Sequence, residues 1–164
     1  MANELKNLYF RKLRMIYCSE LQLISFLPEL EQQIPASIIA DSPGGLLDLC
    51  RQRRNTLETI AAEQDFSIAG DDCQAMRRLI NEGRRGILGC NRGQSREAEA
   101  VGIRIALHRL LVVNYSMARS LAVRLHMRRD AKCIEKLVDQ IVAHVPCEIF
   151  SAEAPLPRLM AATF

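Results

Sequence analysis

Glu20 is the residue whose chemistry most needs explaining. It falls among Leu13, Ile16, Leu23, Leu27, Leu30 and Ile34, whose steps of three and four draw one apolar stripe along a long helix. A carboxylate in such a stripe is costly to bury unless a cation meets it. In a helical bundle that cation is a metal held by inward carboxylates and histidines, or a basic side chain; the remaining possibility is a water-filled pocket. Arg53 is the basic candidate. It interrupts the stripe of the next helix, three residues after Cys50 and four before Leu57, and a guanidinium matches a carboxylate bidentately. The alternative is that Arg53 snorkels to solvent like Arg51 and Arg54. With helices ending near Ile34 and starting near Gly45, the two residues differ in level by roughly 9 Å, which a long side chain and a helix offset must absorb.

Other chemistries find less support. The six cysteines, at 18, 50, 73, 90, 133 and 147, include no C-x₂₋₄-C pair, so no zinc knuckle or thioredoxin-like motif is present. Reduced, mostly buried thiols are the expectation. No G-x-G-x-x-G, P-loop, G-x-S-x-G or H-E-x-x-H motif occurs, and nothing favours an enzyme. Arginine outnumbers lysine 18 to 4, and Arg77, Arg78, Arg84 and Arg85 cluster in one segment. That cluster reads either as a solvated face, with Asp71, Asp72 and Glu82 close by, or as a patch for an anionic partner.

The elements that must position these residues are helices. The chain has 164 residues, 49% hydrophobic and 25% charged, which fits one soluble domain with a sizeable core. Aromatics are 5% and Trp is absent, which speaks against base-stacking platforms and against nucleic acid as a partner. A net charge of +3 does not point to a partner by itself. The periodicity predicts a helix through Ile34 ended by Pro35, a turn over Asp41 to Gly45, and a second helix to about Phe66. A short Arg-rich helix over Cys73 to Leu88 follows, then a loop made by Gly86, Gly89 and Gly93. A third long helix starts at Ser95, a polar hinge falls at Arg128-Arg129-Asp130, and a fourth long helix ends near Pro146.

The expected fold is therefore all-α: an up-down four-helix bundle with an additional short helix between the second and third long helices. The domain is placed at residues 1–150 and a loose tail at 151–164. Its core should hold Leu13, Ile16, Leu23, Leu27, Leu57, Ile60, Leu107, Leu111, Leu121, Leu137 and Ile141. No apolar run is long enough for a membrane span, and the first residues carry no apolar export-signal core, so a cytoplasmic protein without a membrane partner is expected.

Two segments carry a family resemblance. Tyr17-x-x-Glu20-x-x-Leu23 followed by Leu27-Pro28, and Cys73-x-Ala75-Met76-x-x-Leu79-Ile80, resemble signatures of the YciE/YciF family of ferritin-like bacterial stress proteins. Tyr115 falls where that family carries a tyrosine, and the similarity runs over about residues 5 to 150. The resemblance implies a ferritin-like bundle, a homodimer, a stress setting and a dinuclear metal site. The family's metal-binding segments, however, correspond here to Leu49, Gln52 and Thr56, to His108-Arg109-Leu110-Leu111, and to Asp139-Gln140 with His144. Glu20 alone of the carboxylate cage is intact, with His108, Asp139 and His144 as remnants. Two divalent cations need several anionic oxygens, so the expectation is a bundle that has lost its dinuclear centre, carries no cofactor and acts through binding or assembly. One alternative is a metal-binding relative, an oxidoreductase, with iron or manganese on an altered set drawn from Glu20, His108, Asp139 and His144. The other is an Arg-rich adaptor for an anionic partner.

Overall fold

The computed structural model describes residues 2–33, 45–91 and 93–144. Their regular structure consists of five helices: α1 (Ala2–Glu31), α2 (Gly45–Glu63), α3 (Gln74–Gly89), α4 (Gln94–Arg124) and α5 (Arg128–Ala143). No strand occurs among the described residues. Helix α1 packs on α2 and α4, α4 packs on α5, and α5 touches α2 only lightly. Helix α3 lies outside this ring, along α4 and the flank of α1. This is the ferritin-like bundle with one accessory helix.

The stripes predicted from spacing form its core. Leu13, Ile16, Leu23, Leu27, Leu57, Ile60, Leu107, Leu111, Leu137 and Ile141 are all buried, and only Leu121 is half-buried. The α1 stripe continues back to Tyr9, which is also buried. Burying such side chains contributes about 1.5–3 kcal/mol each before chain entropy is counted. The long α4 presents Ala100, Ile103, Leu107, Leu111, Ala118 and Ala122 inward, and the alanines let its neighbours approach closely.

Three boundaries differ from the expectation. Gly86 and Gly89 belong to α3 and not to a loop, which begins only at Cys90. At Gly86 the reason is packing, since a Cβ there would collide with the carboxylate of Glu99, as one on Gly83 would with the side chain of Ile103. These glycines let α3 lie close against α4. Arg128, Arg129 and Asp130 form the first turn of α5, so the hinge falls earlier, at 125–127. The fourth bundle helix is also no longer than the accessory one, 16 residues each. Pro35, residues 41–44 of the turn, Pro146, Cys147 and the 151–164 tail lie outside the described residues.

Helices α2 and α4 end by the same device. Asp65 (φ 52) and His126 (φ 58) take the left-handed conformation. The next residues then donate back to the closing turn, Phe66 N to Ala61 O at 3.1 Å and Met127 N to Ala122 O at 2.9 Å. This is the Schellman closure with an apolar residue following the left-handed one. Phe66 goes on to stack on Phe10 of α1, ring centroids 4.1 Å apart, which fixes the exit of α2 against the bundle.

No helix is long and apolar enough to cross a membrane among the described residues. Cys18, Cys50, Cys73, Cys90 and Cys133 carry free thiols.

Candidate functional site

Glu20 and Arg53 face each other in the centre of the bundle, 0% and 1% exposed. Arg53 Nε donates to Glu20 Oε1 at 2.7 Å and Arg53 Nη2 to Glu20 Oε2 at 3.1 Å. Tyr115 of α4 donates its hydroxyl to Glu20 Oε1 at 2.8 Å, and Arg53 Nη2 reaches Cys50 Sγ at 2.9 Å. The carboxylate therefore accepts from three donors supplied by two helices. The helix ends explain the reach. Glu20 stands 11 residues before the end of α1 and Arg53 eight after the start of α2, a level difference of about 4.5 Å where the sequence suggested twice that.

The electrostatics favour one charged pair among neutral neighbours. Burial works against the Arg53 cation, but the Glu20 carboxylate outweighs it and the guanidinium stays charged. Burial pushes the Cys50 thiol up to about 12, with the Glu20 charge adding to it, so the sulfur keeps its proton. Tyr115 is raised for the same two reasons, burial first, and remains a phenol that can only donate toward Glu20. A thiol and a phenol held this way are poor nucleophiles.

The remnant ligands do not gather around Glu20. His108 is buried in α4, and its Nδ1 lies 2.7 Å from Arg104 O, one turn back. Burial, followed by the charges of Arg104, Arg53 and His144, lowers its pKa to about 4, so the ring is neutral at pH 7. Nδ1 then carries the proton for Arg104 O, and Nε2 is a buried lone pair without a hydrogen-bond partner. His144 is half-buried at the end of α5 with its Nδ1 2.6 Å from Gln140 O, and Asp139 is exposed. Among the described residues no three His, Cys, Asp or Glu side chains come together as a metal-ligand cluster. The set of Glu20, His108, Asp139 and His144 is thus not assembled, because the oxygens of Glu20 are turned to Arg53 and Tyr115. A dinuclear centre does not fit these residues: one carboxylate beside a fixed guanidinium offers neither the oxygens nor the net negative charge two divalent ions require.

A second buried polar contact escaped the sequence reading. Tyr9 donates its hydroxyl to Asp130 Oδ2 at 3.0 Å, and both residues are buried. Asp130 sits in the first turn of α5, where the helix dipole favours an anion. The polar run Arg128-Arg129-Asp130 masked it. Half of the Arg cluster on α3 is neutralised: Arg77 pairs with Asp72 at 2.7 Å, and Arg84 grips Glu29 with two bonds of 2.9 and 2.8 Å.

Residues 4–143 match the family model described as Domain of unknown function (DUF892). Among solved structures, the Escherichia coli stress protein YciF superposes with a TM-score of 0.79 at 19% identity, covering 86% of this chain and 89% of its own. YcfI from Rhodopseudomonas palustris superposes with a TM-score of 0.82 at 18% identity, covering 90% of this chain and 94% of its own. At these identities the likeness establishes the fold alone. Among curated proteins, none matches the chain.

Proposed function

The chain belongs to the DUF892 family, and from that membership we propose that it is a ferritin-like bundle protein whose dinuclear metal centre has been replaced by a guanidinium, and that it acts through binding or assembly. The carrying observation is the Arg53–Glu20 pair. A planar cation bonded to both carboxylate oxygens, with Tyr115 on one of them, supplies the positive charge a metal would bring and leaves no open coordination position. The site is electrostatically closed and has no group poised for acid–base or nucleophilic work.

In this reading the protein works in the cytoplasm as a homodimer, without a cofactor. The dimer draws support from the outer face of α4, where Val113 and Met117 are 56% and 45% exposed one turn apart. A stress setting is taken from the relative YciF, described as a stress protein. Elemental analysis of protein purified without chelator is the test. Less than about a tenth of a metal per chain is expected, and stoichiometric iron or manganese overturns the reading. Light scattering at tens of micromolar should give a dimer mass, and a monomer refutes that part. A metal-binding relative is the alternative, favoured by the unpartnered Nε2 of His108. Bound metal lost on replacing His108 with leucine would establish it.

A further inference from the structure

We infer that the corner where α4 turns into α5 is a docking surface for an acidic protein segment that carries an apolar side chain. The inference deepens the reading of the chain as a binding protein by naming the class of partner, and it rests on that reading. Between residues 119 and 136 there are six Lys and Arg against two acids, a surplus of four where the whole chain has a surplus of three. Both acids are already engaged. Asp130 points inward to Tyr9, and Glu135 accepts from Arg119 at 2.6 Å. Arg129 pairs with Glu63 at 2.8 Å. Arg124, Arg128, Lys132 and Lys136 are exposed and make no ion pair among the described residues.

The surface is also concave. Arg119, Val123, His126, Arg128, Ala131, Lys132 and Glu135 line a depression of about 480 Å³, within the range of sites that hold a few groups of a ligand. Its floor includes Val123, which is 52% exposed, with cations around the rim. The arrangement costs stability. Arg128 and Arg129 occupy the first turn of α5, the end where a helix disfavours cations, and Met127 before them offers no side-chain cap.

The floor selects among anions. A phosphate backbone has no group to set on Val123, and the lining offers a base no Phe, Tyr or Trp ring, only the His126 imidazole. An acidic peptide with a leucine-like residue supplies both complements, carboxylates for the Arg and Lys rim and an apolar side chain for the floor. This contrasts with the α3 arginines, where Asp72 and Glu29 already hold two of the four.

The test uses the full-length protein and a fluorescein-labelled peptide of repeating Glu-Glu-Leu, followed by anisotropy at low and at physiological ionic strength. Binding should weaken with salt and fall about tenfold or more in the double variant Arg128→Glu/Lys132→Glu. That variant should melt no lower than the parent, because a glutamate in the first turn complements the helix dipole. The control Arg77→Glu/Arg78→Glu on α3 should stay within about twofold of the parent. Absence of peptide binding, or equal binding by the parent and the α5 variant, overturns the inference. So does a poly-glutamate peptide or a short DNA duplex that binds as tightly, since the floor would then contribute nothing. Elemental analysis on the same sample keeps the two readings apart: bound metal counts against the proposed function, loss of peptide binding against this surface.

Discussion

Replacing Arg53 with methionine tests the central pair most directly. Methionine nearly conserves the buried volume, so the change chiefly removes charge and donors. Glu20, 0% exposed, would lose both guanidinium bonds and keep only the Tyr115 hydroxyl. Breaking one side of a buried pair costs about 3–5 kcal/mol. The abandoned acid has an escape, which is to bind a proton. Protonating an ordinary glutamate costs about 3.7 kcal/mol at pH 7 and about 1 kcal/mol at pH 5. The charge part of the penalty is therefore capped near 3.7 kcal/mol at neutral pH and should shrink by more than half at pH 5. A domain stable by 5–15 kcal/mol survives this and stays measurable. Urea unfolding followed by far-ultraviolet circular dichroism, parent against Arg53→Met at both pH values, gives the two differences. Adding Glu20→Met should recover most of the loss at pH 7. A single variant as stable as the parent would mean that water or another group serves Glu20. A loss that is the same at pH 5 and pH 7 would mean that packing, not charge, was removed.

Other parts of the bundle give sharper local tests. His108 is held near pKa 4, first by burial, against an ordinary 6.5; the unfolded chain takes that proton first, so stability present above pH 6.5 is lost as pH falls toward 4, by about 3 kcal/mol. In urea titrations the parent's advantage over His108→Leu should shrink by about that amount between pH 7 and pH 4, and a constant difference refutes it. Gly83→Ala should lower stability by about 1–3 kcal/mol, because a Cβ there meets the branched Ile103 in the core. Gly86→Ala should instead raise it by up to about 1 kcal/mol, since the exposed end of Glu99 can swing aside and alanine favours the helix; equal effects at the two sites would refute close α3–α4 packing. His126→Gly should raise the melting temperature, a gain of about 0.5–1 kcal/mol from relieving a left-handed residue, and a drop would show that the imidazole makes a contact worth more than the strain.

The parts legible in the sequence were those that repeat. The stripe through Leu13, Ile16, Leu23 and Leu27 specified which face of α1 is buried, and Glu20 and Arg53 stood out because each broke such a stripe. What was hidden depends on single contacts across the fold. Gly86 looked like a loop residue because a close helix approach leaves only the mark of a missing side chain. Asp130 sat in a polar run, and only the chain's return past Tyr9 reveals that it faces inward. The α3 arginines drew attention by clustering, yet Asp72 just before the helix and Glu29 of α1 neutralise two of them, while the cations of the α4–α5 corner fall on two helices and the turn between them, and only the fold shows that they line one depression.

A guanidinium standing in place of a metal, as proposed, also says what this fold requires. A bundle that puts Glu20 at its centre needs a cation there, and bonds of 2.7 and 3.1 Å from Arg53 meet that need as ligation would. The two solutions differ in what remains. A divalent ion keeps open positions and a redox or Lewis-acid capacity, whereas an arginine directs every donor to a fixed acceptor and holds its charge at any accessible pH. With Cys50 and Tyr115 locked in their protonated forms beside it, the centre can anchor α1, α2 and α4 to one another but has nothing to exchange with a substrate. Activity in such a molecule has to be sought on its surface, and the cationic corner between α4 and α5 is where uncompensated charge and exposed apolar area meet.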